Sequence, residues 1–215
     1  MSPMTRRALL LSGAGAALAA TLPRIPPAFA AMDPQRASLF IAAAGEELVA
    51  AINDPRLDLP QRRARVAAVL RRVVDVEGTG RFILGRYVRQ ASPAEYQEYI
   101  RLFDETIIRN LTARFGEYRG VRFSLGRSQQ RLEEDVLVNT IIERPNSPAF
   151  ALDWRVGEVG GQPKVVDVIA EGTSLRLTQR SEYAALIQRN GGRIAPLLDA
   201  MRNQIAQLAA REGRG

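Results

Sequence analysis

The spacing of the apolar residues changes near residue 120, and this change constrains the fold more than any other feature of the chain. Before it, apolar residues recur every three or four positions, as at Tyr96, Ile100, Phe103, Ile107 and Leu111. That spacing is typical of one face of an α-helix. Between residues 136 and 170 apolar and polar residues mostly alternate, which is typical of strands with one buried face. The chain must therefore pack helices against a sheet.

The helical part has recognisable starts and ends. A first helix is predicted from Pro34 to the sequence Asn53-Asp54-Pro55, and a second starts at Pro60 and carries five arginines between Arg62 and Arg72 on one side. A short helix follows the connection Glu77-Gly78-Thr79-Gly80. Ser92-Pro93-Ala94-Glu95 then forms a capping box at the start of the longest helix. Two more helices are predicted at the C-terminal end, over residues 175–189 and 194–211.

The alternating part predicts about four strands. A short strand covers residues 123–125, and three longer ones cover residues 136–143, 149–156 and 164–170, separated by Pro145-Asn146-Ser147-Pro148 and by Gly160-Gly161. Because short turns join neighbouring antiparallel strands, these strands form a meander. We therefore predict an α+β fold in which a layer of helices covers one face of a twisted antiparallel sheet.

The N-terminal segment has the three parts of an export signal. Arg6 and Arg7 precede an apolar stretch of small residues, and Ala28-Phe29-Ala30 matches a cleavage site. A membrane anchor is the alternative, but the apolar stretch is shorter than the roughly 20 residues that span a bilayer. The paired arginines indicate either twin-arginine export or general secretion. We expect residues 1–30 to be a signal peptide and residues 31–215 to be one domain.

Composition excludes several classes of function. The chain contains no cysteine and no histidine, so neither a disulfide nor a Cys or His metal site or a Ser-His-Asp triad can form. Removing residues 1–30 takes away three arginines and no acid, which lowers the formal net charge from +7 to +4. The remaining arginines are interspersed with acids, whereas nucleic-acid binding calls for a basic stripe with aromatic residues. We expect no nucleic-acid partner and no metal.

Three blocks of residues carry a resemblance to a known family. They are Arg81 to Tyr87, then Ala91 to Glu95 with Phe103, and finally Val166 to Leu175, which contains Asp-x-x-x-Glu-Gly-x-Ser. In this order and spacing they resemble the MlaC (toluene-tolerance) family of periplasmic phospholipid-binding proteins. The similarity extends over roughly residues 73–198.

The resemblance implies a function and a set of partners. It implies an NTF2-like general shape with a closed apolar pocket, and a monomeric periplasmic carrier that holds a phospholipid, needs no other cofactor and is not an enzyme. It also implies exchange of lipid with the MCE-domain protein of an inner-membrane ABC transporter and with an outer-membrane lipoprotein complex, which maintains the lipid asymmetry of the outer membrane. The family often has an aromatic residue where Val88 stands and a tryptophan where Gln162-Pro163 stands, so a hopanoid or other sterol-like cargo is an alternative.

The expected lipid site lies between the Ser92 helix and the strand meander. Its candidates are the larger apolar residues on the inward side of both layers, although each also fits an ordinary core: Phe82, Ile83, Tyr87, Phe103, Ile107, Leu111, Val136, Val138, Phe150, Leu152, Trp154, Val166 and Val168.

Two other functions are compatible with parts of the chain. An acid–base enzyme on the same fold would use Asp167 and Tyr87, although Ser174 lacks a base and the segment from Glu171 to Ser174 fits a turn in which Thr173 or Ser174 caps the next helix. A protein-binding adaptor would use the arginine-rich side between Arg62 and Arg72.

Overall fold

The computed structural model describes residues 32–131 and 135–212. The predicted export signal, residues 1–30, lies outside them. The helices are α1 (Pro34–Asn53), α2 (Leu59–Val73), α3 (Val76–Leu84), which continues as a 3-10 helix (Gly85–Arg89), α4 (Pro93–Thr112), α5 (Phe115–Tyr118), α6 (Leu175–Arg189) and α7 (Ala195–Glu212). Among the described residues, none of these helices has the length and apolarity needed to cross a membrane.

The strands form one antiparallel sheet in the order β1-β2-β3-β4-β5. They are β1 (Arg122–Arg131), β2 (Asp135–Arg144), β3 (Ser147–Val159), β4 (Gln162–Ala170) and β5 (Thr173–Ser174). The predicted α+β fold and meander are confirmed, but the sheet has five strands rather than about four. The two residues of β5 are too few to show alternation. β1 is longer than predicted because a register shift between Leu125 and Ser128 interrupts its pattern.

Side-chain caps set the starts of α1, α2 and α4. Asp33 accepts a hydrogen bond from the main-chain N–H of Arg36 at the start of α1. Asp58 and Gln61 form a capping box at α2. The predicted capping box at Ser92 and Glu95 is confirmed, and Pro93 occupies the first turn of α4. These caps satisfy main-chain N–H groups that have no partner within the helix.

The connection predicted over residues 77–80 is wrong, because these residues belong to α3. Asp75 caps the helix by accepting from the N–H of Gly78 at 3.0 Å. A Cβ atom added to Gly80 would lie 2.7 Å from Cδ1 of Ile100. Glycine therefore allows α3 to lie close against α4, and this close approach outweighs the low helix propensity of glycine.

The buried residues form three clusters. One lies among α3, α4, α6 and α7 and is centred on Tyr99, Leu102, Ile187 and Leu197. A second lies between α1, the end of α2 and the inner face of the sheet, where Val136, Val138 and Val156 are fully buried. The third joins α1 to α2 through Ala51 and Val66. One cluster thus packs helices against helices, and another packs α1 and α2 against the sheet.

The arginine-rich side of α2 binds neighbouring parts of the same chain. Arg63 pairs with Glu105 and Arg71 with Asp104, both on α4. Arg72 pairs with Glu47 on α1, and Arg65 with Asp54. Arg62 donates to the main-chain carbonyls of residues 54 and 57. These arginines connect α2 to its neighbours, which disfavours the adaptor hypothesis.

Two buried tyrosines in the helix cluster differ in one hydrogen bond. The rings of Tyr99 and Tyr183 meet edge to face at 6.3 Å. The Tyr99 hydroxyl donates to the carbonyl of Gly80 at 3.0 Å, whereas the buried Tyr183 hydroxyl has no hydrogen-bond partner in the described part of the chain. Burial raises the pKa of both hydroxyls, so both stay neutral at physiological pH.

We therefore expect opposite effects from removing the two hydroxyls. Tyr99→Phe leaves the Gly80 carbonyl unpaired and should lower the free energy of unfolding by about 1 kcal/mol. Tyr183→Phe removes an unsatisfied buried group and should leave stability unchanged or raise it by up to about 1 kcal/mol. Urea unfolding followed by circular dichroism measures both changes. Equal destabilisation by the two substitutions would contradict the assigned difference.

Candidate functional site

A cavity lies where the three clusters meet, between the helix layer and the sheet. Its volume is about 370 Å³, and it is partly open to solvent rather than closed. Leu175, 50% exposed, and the exposed Asn110 mark where it reaches the surface. Its walls come from α2, α3, α4, β3, β4 and the start of α6. The lining residues are Leu70, Val74, Thr79, Ile83, Phe103, Thr106, Ile107, Asn110, Leu111, Trp154, Val165, Val166, Asp167, Val168, Leu175, Arg176 and Gln179.

Polar groups deep in the wall are satisfied by the protein itself. The indole N–H of Trp154 donates to Oγ1 of Thr140 at 2.8 Å. The hydroxyl of Thr106 donates to the carbonyl of Leu102 at 2.8 Å, and that of Thr79 to the carbonyl of Val166 at 3.3 Å. Because these N–H and O–H groups already donate within the protein, they need no hydrogen-bond partner on a ligand. Most of the wall is therefore an apolar surface.

The predicted site residues divide into two groups. Seven of the thirteen line the cavity, and all seven lie on α3, α4, β3 or β4: Ile83, Phe103, Ile107, Leu111, Trp154, Val166 and Val168. The structure thus brings the inward sides of the long helix and of the last two long strands together around one cavity.

The other six lie outside the cavity. Tyr87 is buried in the helix cluster, and Phe82 packs at the edge of that cluster. Val136 and Val138 are fully buried in the sheet core. Phe150 and Leu152 are half-buried on β3, where the Arg144 guanidinium lies 5.1 Å from the Phe150 ring and Leu152 pairs with Thr140 and Ala170.

Ten lining residues were not predicted from the sequence. Thr106 and Asn110 fit the helical spacing of Phe103, Ile107 and Leu111, so a wider stripe that admits polar residues would have included them. Leu70 and Val74 lie at the end of α2. Alternation places one face of β4 inward, yet Val165, Val166, Asp167 and Val168 all line the cavity. The β3–β4 register shifts at this point, between Arg155 and Val156, and leaves Val166 as an extra residue on β4 that interrupts the alternation.

Asp167 connects β4 to the start of α6. Its carboxylate accepts hydrogen bonds from the hydroxyl of Ser174 at 2.6 Å and from the N–H groups of Val168 and Arg176 at 2.8 and 3.2 Å. The Arg176 guanidinium lies 3.4 Å from the same carboxylate, whose side chain is only 1% exposed. This compact arrangement holds the first turn of α6 against the sheet.

The arrangement gives little support to the enzyme hypothesis. Asp167 is occupied by protein donors, and Tyr87 is separated from the cavity within the helix cluster. The Tyr87 hydroxyl accepts a hydrogen bond from Arg86 at 2.9 Å. Within residues 32–131 and 135–212, no group of three acidic side chains is placed to hold a metal ion.

Comparison with known protein families identifies the family of this chain. The family described as MlaC protein matches residues 42–203, three quarters of the chain. This chain belongs to the MlaC family. A similar protein from Pseudomonas putida, named toluene tolerance protein Ttg2D, is 22% identical over 140 residues, and the match covers 65% of each chain. The chain thus spans slightly less than two thirds of that relative's length.

A solved structure shares the fold. It is a phospholipid-binding protein from Ralstonia solanacearum in complex with a phospholipid, and it is 25% identical to this chain with a TM-score of 0.71. The similarity covers 80% of this chain and 98% of the other.

The MlaC-like blocks have physical roles in this structure. In the last block, Asp167 and Ser174 bond to each other, and the turn between them places Glu171 and Gly172 at positive φ of 50° and 76°. The two departures from the family pattern lie away from the cavity. Val88 packs at the edge of the helix cluster, and Pro163 pairs with Glu158 near the β3–β4 turn. Neither Val88 nor Pro163 lines the cavity.

Ser174, rather than Thr173, caps α6, since its hydroxyl oxygen accepts from the N–H of Leu177 at 3.2 Å while donating to Asp167. We expect Ser174→Ala to lower the free energy of unfolding by about 2 kcal/mol, because it removes both a cap and a partner of a buried carboxylate. Thr173→Ala, at an exposed neighbouring position, is the matched control and should have little effect. Urea unfolding of the two variants measures the difference, and equal losses would argue against the cap.

Proposed function

We propose that this protein is a periplasmic carrier that encloses the acyl chains of a phospholipid in the cavity between α4 and β4, without covalent chemistry. The observation that carries the proposal is the position and lining of the cavity. It is predominantly apolar, and it lies between helices and sheet in a chain whose fold matches a phospholipid-bound relative.

The energetics of lipid transfer favour an enclosed site. Two acyl chains of about 16 carbons represent on the order of 25 kcal/mol of unfavourable exposure to water, at about 0.8 kcal/mol per methylene. A carrier must bury most of that surface between membranes. The cavity of about 370 Å³ lies at the lower end of the usual range for ligand sites of drug size. We therefore propose that its walls move apart when a lipid with two chains enters.

The route and partners follow from the export signal and the family. The N-terminal pattern supports export to the periplasm. Membership of the MlaC family supports exchange with an MCE-domain subunit of an inner-membrane ABC transporter and with an outer-membrane lipoprotein complex, with outer-membrane lipid asymmetry as the result. A monomer that meets each partner in turn fits this role.

The first test is whether the protein carries lipid. Organic extraction of purified protein followed by mass spectrometry should find phospholipid in stoichiometric amount, because an apolar cavity of this size favours an occupant over water. Protein that is consistently recovered empty, and that also takes no phospholipid from vesicles, would overturn the proposal.

A bulky residue in the cavity tests the location. Ile107 lines the cavity on α4, so Ile107→Trp should fill part of the space and lower lipid uptake at least tenfold while the protein remains folded. Ile141, 40% exposed and outside the cavity lining, offers the matched control Ile141→Trp, which should bind lipid normally. Uptake of a fluorescent phospholipid from vesicles, with circular dichroism as the folding check, measures both. Normal uptake by a folded Ile107→Trp variant would place the lipid elsewhere.

A further inference from the structure

Two arginine side chains share one aromatic ring beside the cavity. The guanidinium carbon of Arg176 lies 4.4 Å from the centre of the Phe82 ring, and that of Arg180 lies 4.8 Å from the same centre. Arg180 also donates to the carbonyl of Phe82 at 3.2 Å. Since both arginines lie on α6 and Phe82 lies on α3, these contacts hold both guanidinium groups against the neighbouring helix.

The charge of this pair is only partly neutralised within the described chain. Arg176 is paired with Asp167, since its Nε lies 3.4 Å from Oδ2 of that residue, and its Nη1 donates to the carbonyl of Val166 at 3.3 Å. Arg180 forms no ion pair with any described carboxylate, in contrast to the arginines of α2 that bind acids of α1 and α4. The positive charge of Arg180 is therefore not balanced by an ion pair among the described residues, and it lies on the Phe82 ring that also contacts Arg176, a residue of the cavity lining.

The local main chain leaves space for Arg180. Gly85 has a positive φ of 57°, and a Cβ atom placed on it would lie 3.2 Å from a terminal nitrogen of Arg180. Any larger residue would be strained in this conformation and would press on the guanidinium. Gly85, within the Leu84-Gly85 sequence of the first family block, thus helps position Arg180.

We propose that Arg176 and Arg180 form a subsite for the phosphate of the lipid whose acyl chains occupy the cavity. Arg176 lines the cavity, so a phosphate at this end can meet the guanidinium groups while the chains extend inward along Ile107 and Val168. Planar guanidinium groups present several N–H donors in a geometry that suits phosphate oxygens. The proposal rests on the proposed function, and it names a phosphate-bearing lipid as the preferred cargo over a neutral one of the same chain length.

A purely structural role for Arg180 makes a different prediction. If stacking on Phe82 only held α6 against α3, removing the side chain would weaken the binding of every lipid equally. A phosphate subsite instead affects only lipids that carry phosphate. The ratio of two affinities, rather than either affinity alone, therefore separates the two roles.

The experiment compares phosphatidic acid with diacylglycerol of identical chains, each displacing a fluorescent diacylglycerol from the purified protein. The native protein should prefer phosphatidic acid, and Arg180→Ala should lower that preference roughly tenfold, the effect of losing one charge-assisted hydrogen bond. Arg180→Lys keeps the charge and should retain part of the preference. Arg189→Ala, at an exposed position in the last turn of α6, is the matched control and should match the native protein.

Each remaining outcome has a defined meaning. An unchanged ratio in Arg180→Ala, or equal weakening of both lipids in Arg180→Ala and Arg180→Lys, overturns the phosphate subsite while leaving the carrier function intact. If inorganic phosphate alone binds the native protein and abolishes the preference, the subsite recognises free phosphate rather than a lipid headgroup, which also overturns the proposal. If neither lipid displaces the probe from the native protein, the proposed carrier function itself fails.

Discussion

The site depends on the carboxylate of Asp167, which is buried at the junction of β4, β5 and α6. A buried charge is costly unless it is fully paired, and Asp167 is paired with the Ser174 hydroxyl, two main-chain N–H groups and the Arg176 guanidinium. These partners come from residues 168–176, so satisfying one charge fixes the turn, the first residues of α6 and the direction of Arg176. The first residues of α6 form the cavity wall at this end, so the contacts of Asp167 also determine the position of that wall.

The opposite end of the wall is held by a second set of charges. Arg109 on α4 pairs with Glu105 and with Glu212 of α7 at 2.6 and 2.7 Å, and the Glu212 carboxylate also accepts from Thr112. Both Arg109 and Glu212 are mostly buried. Since the cavity side of α4 lacks neighbouring atoms that would hold it in place, these contacts on its other side secure the helix. On α4, the ion pairs and the hydrogen bond on the side away from the cavity thus take the place of the apolar contacts that are missing on the cavity side.

Sequence patterns predicted the parts of this fold that depend on interactions between residues close together in the sequence. The capping box at Ser92 and the alternation around Val136 and Val138 are short-range signals, and the structure confirms the elements they predicted. The start of α3 was missed because Gly80 is explained only by its approach to Ile100, a contact with another helix. Arg176 was missed for the same reason: its charge predicts an exposed side chain, and only its contacts with Asp167 and Phe82 turn it toward the cavity.

Contacts with other elements, rather than short-range patterns, also determine which inward residues line the cavity and which belong to the core. Val138 and Val168 both occupy strand positions that alternation turns inward, yet Val138 is fully buried in the sheet core and Val168 lines the cavity. What differs is the opposing layer: α1 packs closely over Val138, whereas α4 stands away from Val168. The cavity is partly open to solvent, so without an apolar occupant its wall stays in contact with water, which is unfavourable by about 25 cal/mol per Å² of apolar surface. An apolar occupant would remove that contact with water, so under the proposed function the binding of a lipid would also complete the packing between α4 and the sheet.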